Sequence, residues 1–90
     1  MFDVTFFGGA FAERVRELSH EHDDAHCRLE IVTPNGERHD ALRLNAVETG
    51  ATVVTRDARL VFVPYSRIAY LEVAVLQDHR IPGFELVLGS

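Results

Sequence analysis

The spacing of apolar residues changes along the chain and predicts two kinds of element at its start. Between residues 2 and 7 apolar side chains alternate with polar ones, which is typical of a half-buried β-strand. After Gly8 and Gly9 the spacing lengthens, and residues 10–21 predict a short amphipathic helix. The apolar residues of this helix fall at i, i+4 and i+7, on one face, and they are Phe11, Val15 and Leu18.

The rest of the chain predicts five short strands of one meander, followed by a last strand. Their approximate ranges are 27–31, 37–46, 51–55, 59–63, 68–75 and 84–88. Asn35-Gly36 predicts a type I′ hairpin turn, since both residues tolerate positive φ. In the second strand Leu42, Leu44 and Ala46 are expected on one face. The strand at 2–7 needs a partner, and the strand at 84–88 is the candidate, in the same molecule or in a neighbour.

Pro64 interrupts the apolar residues of the last two meander strands. Proline has no backbone N–H, so it ends a sheet ladder and cannot sit inside a central strand. Residues 64–66 therefore predict a sharp corner, which bends a short sheet over on itself. The predicted fold is mainly β: a short N-terminal α-helix, then a strongly bent five-stranded antiparallel small barrel of Sm-like or SH3-like type, with further strands at both ends.

Composition narrows the class of protein. Ninety residues correspond to one small-barrel domain, and the single cysteine, Cys27, excludes an internal disulfide. No apolar run approaches the ~20 residues that span a bilayer. The first residues carry no basic residue ahead of their apolar part, unlike a secretory signal, so we expect a cytoplasmic protein without membrane partners.

The charge pattern argues against non-specific nucleic-acid binding. The net charge is −5, all nine basic residues are arginine, and lysine is absent. Arginine chosen for bidentate phosphate contacts would cluster on one face, whereas these are scattered among acids. We therefore attribute the use of arginine in place of lysine to a coding preference and not to phosphate binding. An acidic balance opposes binding driven by phosphate neutralisation.

Two stretches carry a resemblance to a known family. Residues 29–54 contain an alternating strand, a glycine turn, a long bent strand and a third strand. Residues 62–71 end a strand, make a one-turn corner and enter the last strand with Ile68. From about Ala10 to Val75 the chain thus resembles the Sm-like family. The resemblance implies homo-oligomeric rings, in which the fourth strand of one subunit pairs with the fifth of the next.

The residues with which Sm-like proteins bind RNA are not matched. The family places an Asp and an Asn in the loop after the second strand, where this chain is nearest to Val47 and Ala51. The second motif usually has Arg-Gly, and its bacterial branch Tyr-Lys-His, where this chain has Pro64-Tyr65-Ser66. The resemblance therefore implies the fold and the ring, but RNA binding that is weak or lost.

The corner offers a candidate ligand or RNA site at one rim of the barrel. Arg67 is suited to hold a phosphate or carboxylate, and Tyr65 to stack on a base or ring, with Ser66 between them. Glu48 and Thr49 join them if the turn before the third strand reaches the same rim. The alternative is a subunit contact or a solvated turn.

A histidine-rich segment offers a candidate metal site at His20, His22, Asp24 and His26. Histidine with carboxylate suits Zn²⁺ or Ni²⁺. If the helix extended that far, the residues at 22 and 26 would share a face, as would those at 20 and 24. The spacing matches no tight metal motif, and the alternative is a solvated helix end.

Catalytic interpretations rank last, and no cofactor is expected. His39-Asp40 and residues 78–80 place Asp beside His, but neighbours on a strand point to opposite faces. The same holds for Cys27 beside His26. Gly8-Gly9 ahead of a helix suggests anion binding at its N-terminus.

Three functional hypotheses follow from these observations. The leading one is a non-enzymatic Sm-like oligomeric binding or assembly protein with weak or lost RNA binding. The second is a monomeric or dimeric regulatory β-barrel that binds a small ligand or a partner protein. The third is a metal-binding protein that uses residues 20–27.

Overall fold

The computed structural model describes residues 1–88 as a helical N-terminus followed by six strands. The helices are α1 (Val4–Phe6) and α2 (Ala12–Glu21), joined by a π-helical turn at Phe7–Phe11. The strands are β1 (Cys27–Val32), β2 (Arg38–Val47), β3 (Gly50–Thr55), β4 (Leu60–Pro64), β5 (Tyr70–Val75) and β6 (Glu85–Leu88). No helix within these 88 residues is long and apolar enough to cross a membrane.

The first residues are helical, so the predicted strand at 2–7 is wrong. The carboxylate of Asp3 accepts a hydrogen bond from the Phe6 N–H at 2.8 Å, as an N-cap residue does. Phe7 and Phe11, four residues apart, are both buried, with ring centroids 5.3 Å apart. Burying these rings over the core requires helical spacing, which overrides the alternation. Gly8 and Gly9 consequently lie inside the helix and not before it.

The sheet has the strand order β4-β3-β2-β1-β5, with every neighbouring pair antiparallel. This confirms a mainly β fold with an N-terminal helix ahead of five antiparallel strands, but only β1 to β4 form a meander, because β5 pairs with β1. The predicted last strand is also confirmed, as β6, but its partner is β2, to which it runs parallel. Within residues 1–88, β4 and β5 do not pair with each other, so the sheet is open at that seam.

A bulge in β2 changes which residues face the core. The register with β3 shifts between Ala41 and Arg43, which inserts one extra residue. Ala41 is therefore fully buried together with Leu44 and Ala46, and Leu42 is only half-buried. The expectation that Leu42 shares the core face is wrong, because the alternation of inward and outward side chains does not continue across the bulge.

The core lies between the bent sheet and the helical N-terminus. The helix contributes the rings of Phe7 and Phe11. The largest fully buried side chains of the sheet are Leu29, Ile31, Leu44 and Val53. Ile68, just after the corner, is also buried and packs on the same cluster.

The hairpin between β1 and β2 is not the type I′ turn that Asn35-Gly36 predicts. The turn is centred one residue earlier, on Pro34 and Asn35, and the Pro34 ring holds φ negative, as the first central position of a type I turn requires. Of the turn residues only Gly36 has positive φ, at +89°. The Thr33 carbonyl accepts from the Gly36 N–H at 2.9 Å, and the Thr33 N–H donates to the Glu37 carbonyl at 2.9 Å. This is a type I turn followed by a glycine bulge.

Candidate functional site

The corner after β4 is where the sequence places its candidate rim site. Pro64 is the last residue of β4, with φ −59° and ψ 145°, and a single turn of 3₁₀-helix follows at Tyr65–Arg67. The chain then enters β5. The predicted corner is therefore confirmed, and the missing N–H of Pro64 falls where the ladder with β3 ends, opposite Gly50.

Tyr65 ties this corner to the turn between β2 and β3. Its hydroxyl donates a hydrogen bond to the Val47 carbonyl. Its ring stacks on Phe7, with centroids 6.0 Å apart and an interplanar angle of 29°. Burial, and secondarily the charge of Asp3, raise the pKa of the Tyr65 phenol. One face of the ring is thus already occupied, which leaves less of it for stacking on a ligand than the sequence suggests.

The Tyr65 hydrogen bond brings the two predicted halves of the rim together. Val47 is the last residue of β2, and Glu48 and Thr49 follow it directly. Both are exposed, as are Ser66 and Arg67 on the corner. The five predicted rim residues therefore lie on two adjacent turns, with one acid and one base among them. Such a rim suits a single small anionic group better than a polyanion.

Gly50 allows the two turns to approach so closely, and the sequence analysis did not single it out. A Cβ at this position would lie 2.6 Å from the Val63 carbonyl oxygen and 2.9 Å from the Cα of Pro64. Both distances are shorter than any real contact, so only glycine fits. Its place directly opposite a strand-ending proline was the available signal.

Arg67 differs from most arginines of the chain in its electrostatic setting. Within residues 1–88 seven arginines lie within 4 Å of a carboxylate: Arg14, Arg28, Arg38, Arg43, Arg56, Arg59 and Arg80. Arg16 and Arg67 form no such pair in this part of the chain. Arg67 lines a groove of about 350 Å³ between β4 and the β1–β2 hairpin, together with Val63 and His39. Because only Arg16 and Arg67 lack a carboxylate within 4 Å in residues 1–88, little positive charge is available to a polyanion.

The histidine-rich segment is not gathered into a cluster. Helix α2 ends at Glu21, so His22 and His26 do not share a helical face. His22 Nδ1 lies 2.9 Å from the Leu18 carbonyl, and His26 Nδ1 lies 3.0 Å from the Ile81 carbonyl. His20 Nδ1 is 3.5 Å from Asp24 Oδ1, with both side chains 84% exposed.

Within residues 1–88 no three His, Cys, Asp or Glu side chains are grouped as a metal site requires. Of the predicted ligands only His20 and Asp24 lie together. Metal binding by the segment stays a prediction, now confined to that pair plus ligands from elsewhere.

Asp40 and Asp78, which follow or precede a histidine in sequence, pair with arginines and not with that histidine. Asp40 lies 3.2 Å from Arg56 and 3.5 Å from Arg28, while His39 Nδ1 is buried without a hydrogen-bond partner in the described residues. Asp78 is paired with Arg80 at 3.0 Å. Cys27 is buried, and burial raises the pKa of its thiol, so its thiolate is disfavoured. Gly8-Gly9, inside the helix, offer no helix N-terminus to an anion.

An apolar surface that sequence reasoning passed over lies on β4. Leu60 is 73% and Phe62 51% exposed on one face of this edge strand, while Val61 and Val63 face the core. Four consecutive apolar residues in a strand were the available signal, because a half-buried strand alternates with polar residues.

Comparison with known proteins identifies no similar protein. No protein-family profile, curated protein or solved structure matches the chain.

Proposed function

We propose that this chain is a non-enzymatic subunit of a homo-oligomer that assembles through the edges of its sheet, in the manner of Sm-like rings. The observation that carries the proposal is the pair of open edges. Strands β4 and β5 each have one hydrogen-bonded neighbour within residues 1–88 and are the two ends of the five-strand order, while the short β6 pairs only with part of β2. Unpaired edges of this kind associate unless the protein blunts them.

The composition of β4 supports an edge that is used. Natural edge strands are usually protected by charge, proline or a bulge. Between Leu60 and Val63 this strand has none of these, and Pro64 comes only at its end. Leu60 and Phe62 expose large apolar surface beside the unpaired backbone. Burial of that surface against another subunit would be favourable in proportion to its area.

The composition of β5 fits it as the partner. Tyr70 is 46% exposed, and Leu71, Val73 and Val75 are half-buried along the strand. The one charged residue of β5, Glu72, is held by Arg38 at 3.2 Å. The Sm-like resemblance implies pairing of the fourth strand with the fifth strand of a neighbour, which are the two strands whose edges are open here.

RNA binding is proposed to be weak or lost in this assembly. The two rim turns carry one cation, Arg67, beside the acid Glu48. Most other arginines are engaged by carboxylates, and the net charge is −5. Polyanion binding draws its free energy mainly from phosphate neutralisation by unpaired cations. The supported role is therefore assembly, or binding of a ligand other than a long RNA.

The proposal is tested by the mass of the protein in solution, measured by light scattering and native mass spectrometry. We expect an oligomer at micromolar concentration and its dissociation by Phe62→Lys. Val87→Lys is the matched control, since Val87 is also an exposed apolar strand residue but lies on β6. A wild-type monomer would refute the assembly and favour the regulatory barrel, and equal dissociation by both variants would refute the β4 edge.

RNA binding is tested separately by titration with a uridine-rich oligonucleotide at two salt concentrations. We expect no saturable binding at physiological salt. Tight binding that weakens steeply with salt would overturn the proposed loss of RNA binding and leave the assembly proposal standing.

A further inference from the structure

A groove of about 650 Å³ runs between α2 and β6, away from the β4 and β5 edges. Its helical wall includes Ala12 and Val15, and its other wall consists of Leu86 and Leu88, on one side of β6, and Phe84, just before that strand. All are half-buried except Leu88, which is 48% exposed. Apolar grooves of ~300–1,000 Å³ with a few polar groups are typical small-ligand sites.

The groove is apolar at one end and polar at the other. At the apolar end the Cα of Gly8 lies against Leu88, since an added Cβ would be 2.9 Å from a Leu88 methyl carbon. The polar part begins at Arg16 and continues through Ser19 and His20 to Asp24. The rise of a helix separates residues 8 and 20 by about 18 Å. The shape therefore suits a linear molecule with one polar end.

The charge of the lining indicates the sign of that polar end. Arg16 lines the groove and has no carboxylate partner within residues 1–88, whereas Arg14, on the same helix, lies outside the groove and 3.9 Å from Glu17. The one acid of the described lining, Asp24, lies eight residues beyond Arg16, with its Oδ1 3.5 Å from His20 Nδ1. The described part of the groove thus presents one guanidinium with no carboxylate within 4 Å, a group suited to bind a carboxylate through two parallel hydrogen bonds.

We infer that this groove binds a linear amphiphile with a carboxylate head. The tail lies along Val15, Leu86 and Leu88, where affinity grows with the apolar area that it buries. The head lies at Arg16. The site shares no residue with the proposed β4–β5 contact, so it stands whether or not the chain assembles.

The test uses the full chain and three probes that share one tail: octanoate, octanol and octyltrimethylammonium. Binding is followed by amide and methyl NMR shifts below the micelle-forming concentrations. We expect saturable shifts at Ala12, Val15 and Leu86, with octanoate binding roughly tenfold more tightly than octanol, as a charged hydrogen bond supplies. Decanoate is expected to bind more tightly than octanoate.

Two arginine variants isolate the head contact. Arg16→Gln is expected to weaken octanoate binding roughly tenfold and to leave octanol unchanged. Arg14→Gln is the control and is expected to change neither. Ala12→Trp, whose fold is checked by circular dichroism, is expected to abolish binding of both probes by filling the groove.

Absence of saturable octanoate binding would overturn the inference, as would tighter binding of the cationic probe. Equal losses in the two arginine variants would overturn the head contact, and unchanged affinity in a folded Ala12→Trp protein would overturn the location.

Discussion

Thr33 and Thr55 make the same set of hydrogen bonds in two different hairpins. Each threonine donates its N–H to the carbonyl four residues on, at 2.9 Å from Thr33 and 2.8 Å from Thr55. Each hydroxyl accepts the N–H of that same residue and donates to the Asn or Asp side chain two residues on. The β1–β2 and β3–β4 hairpins are thus two copies of one turn, with Gly36 and Ala58 in equivalent places.

The equivalence predicts that Ala58→Gly stabilises the protein. Ala58 has φ +67°, a left-handed conformation that costs an alanine about 1–2 kcal/mol, while glycine loses somewhat more chain entropy on folding. We expect a net gain of about 0.5–1 kcal/mol in the free energy of unfolding, measured by urea denaturation. The converse substitution, Gly36→Ala, is expected to destabilise. Loss of stability in Ala58→Gly would contradict the assigned turn.

The phenol of Tyr65 is expected to contribute to stability through its contact with Val47. Tyr65→Phe keeps the ring stacked on Phe7 but leaves the Val47 carbonyl without that donor, at a cost of about 1–2 kcal/mol in thermal or urea unfolding. Tyr70→Phe is the matched control. The Tyr70 hydroxyl is exposed and accepts from Arg38 at 3.3 Å, so we expect a change within about 0.5 kcal/mol. Equal costs would argue against the role of the rim contact.

The same phenol predicts a dependence of stability on alkaline pH. The folded-state pKa of Tyr65 is raised above the unfolded value, chiefly by burial. Its contribution is therefore full below about pH 10 and is lost as the pH rises through the folded-state pKa. We expect the melting temperature of the wild type to fall more steeply above about pH 10 than that of Tyr65→Phe. Identical slopes would contradict this expectation.

Protonation of two aspartates is expected to lower the stability of the protein at acid pH. Hydrogen bonds from the Thr55 hydroxyl and then the Arg59 guanidinium hold the pKa of Asp57 below its usual value. The Arg80 side chain and N–H do the same for Asp78. Because both folded-state pKa values are depressed, the contribution is present above about pH 4 and is lost on further acidification.

The acid dependence is measured as melting temperature against pH. We expect a shallower decline in the double variant Asp57→Asn, Asp78→Asn. The first substitution is compatible with its turn, since Asn35 occupies the equivalent place in the β1–β2 hairpin. A decline as steep as that of the wild type would show that other groups govern acid unfolding.

The two helical glycines are expected to respond differently to alanine. A Cβ at Gly9 would meet nothing within 4 Å, so Gly9→Ala is expected to stabilise the protein by about 0.5–1 kcal/mol through helix propensity. A Cβ at Gly8 would lie 2.9 Å from a Leu88 methyl carbon, so Gly8→Ala is expected to gain less. Thermal unfolding of the two variants checks the order, and a larger gain at Gly8 would reverse it.

The five antiparallel strands were predictable because their signals are local. Alternation and turn residues locate β1 to β5 within a few residues, and Pro64 marks the corner. The helical conformation of residues 2–7 was not predictable in this way, because Phe2 and Phe6 fit both the even spacing of a strand and the i, i+4 spacing of a helix. The bulge at Ala41 and the parallel pairing of β6 depend on partners distant in sequence, which no local pattern reveals.

The candidate rim was predictable in part. The sequence places Arg67 and Glu48 at two turns, but their closeness depends on the Tyr65 bond to Val47 and on the glycine at position 50. The stacking of Tyr65 on Phe7 was missed together with the helix that carries Phe7. The groove at Arg16 was missed for a related reason, since it exists only where α2 passes β6.

The pairing of β6 with β2 bears on how this protein folds. Arg43 and Glu85 are neighbours in the ladder and are joined at 2.8 Å by an ion pair, yet 42 residues separate them. A long loop must close before that contact is gained, whereas the hairpins close over four or five residues. The hairpins are therefore expected to form early, and half of β2 remains an open edge until residues 85–88 dock. During synthesis that edge is exposed to neighbouring chains, a period in which misassociation competes with folding.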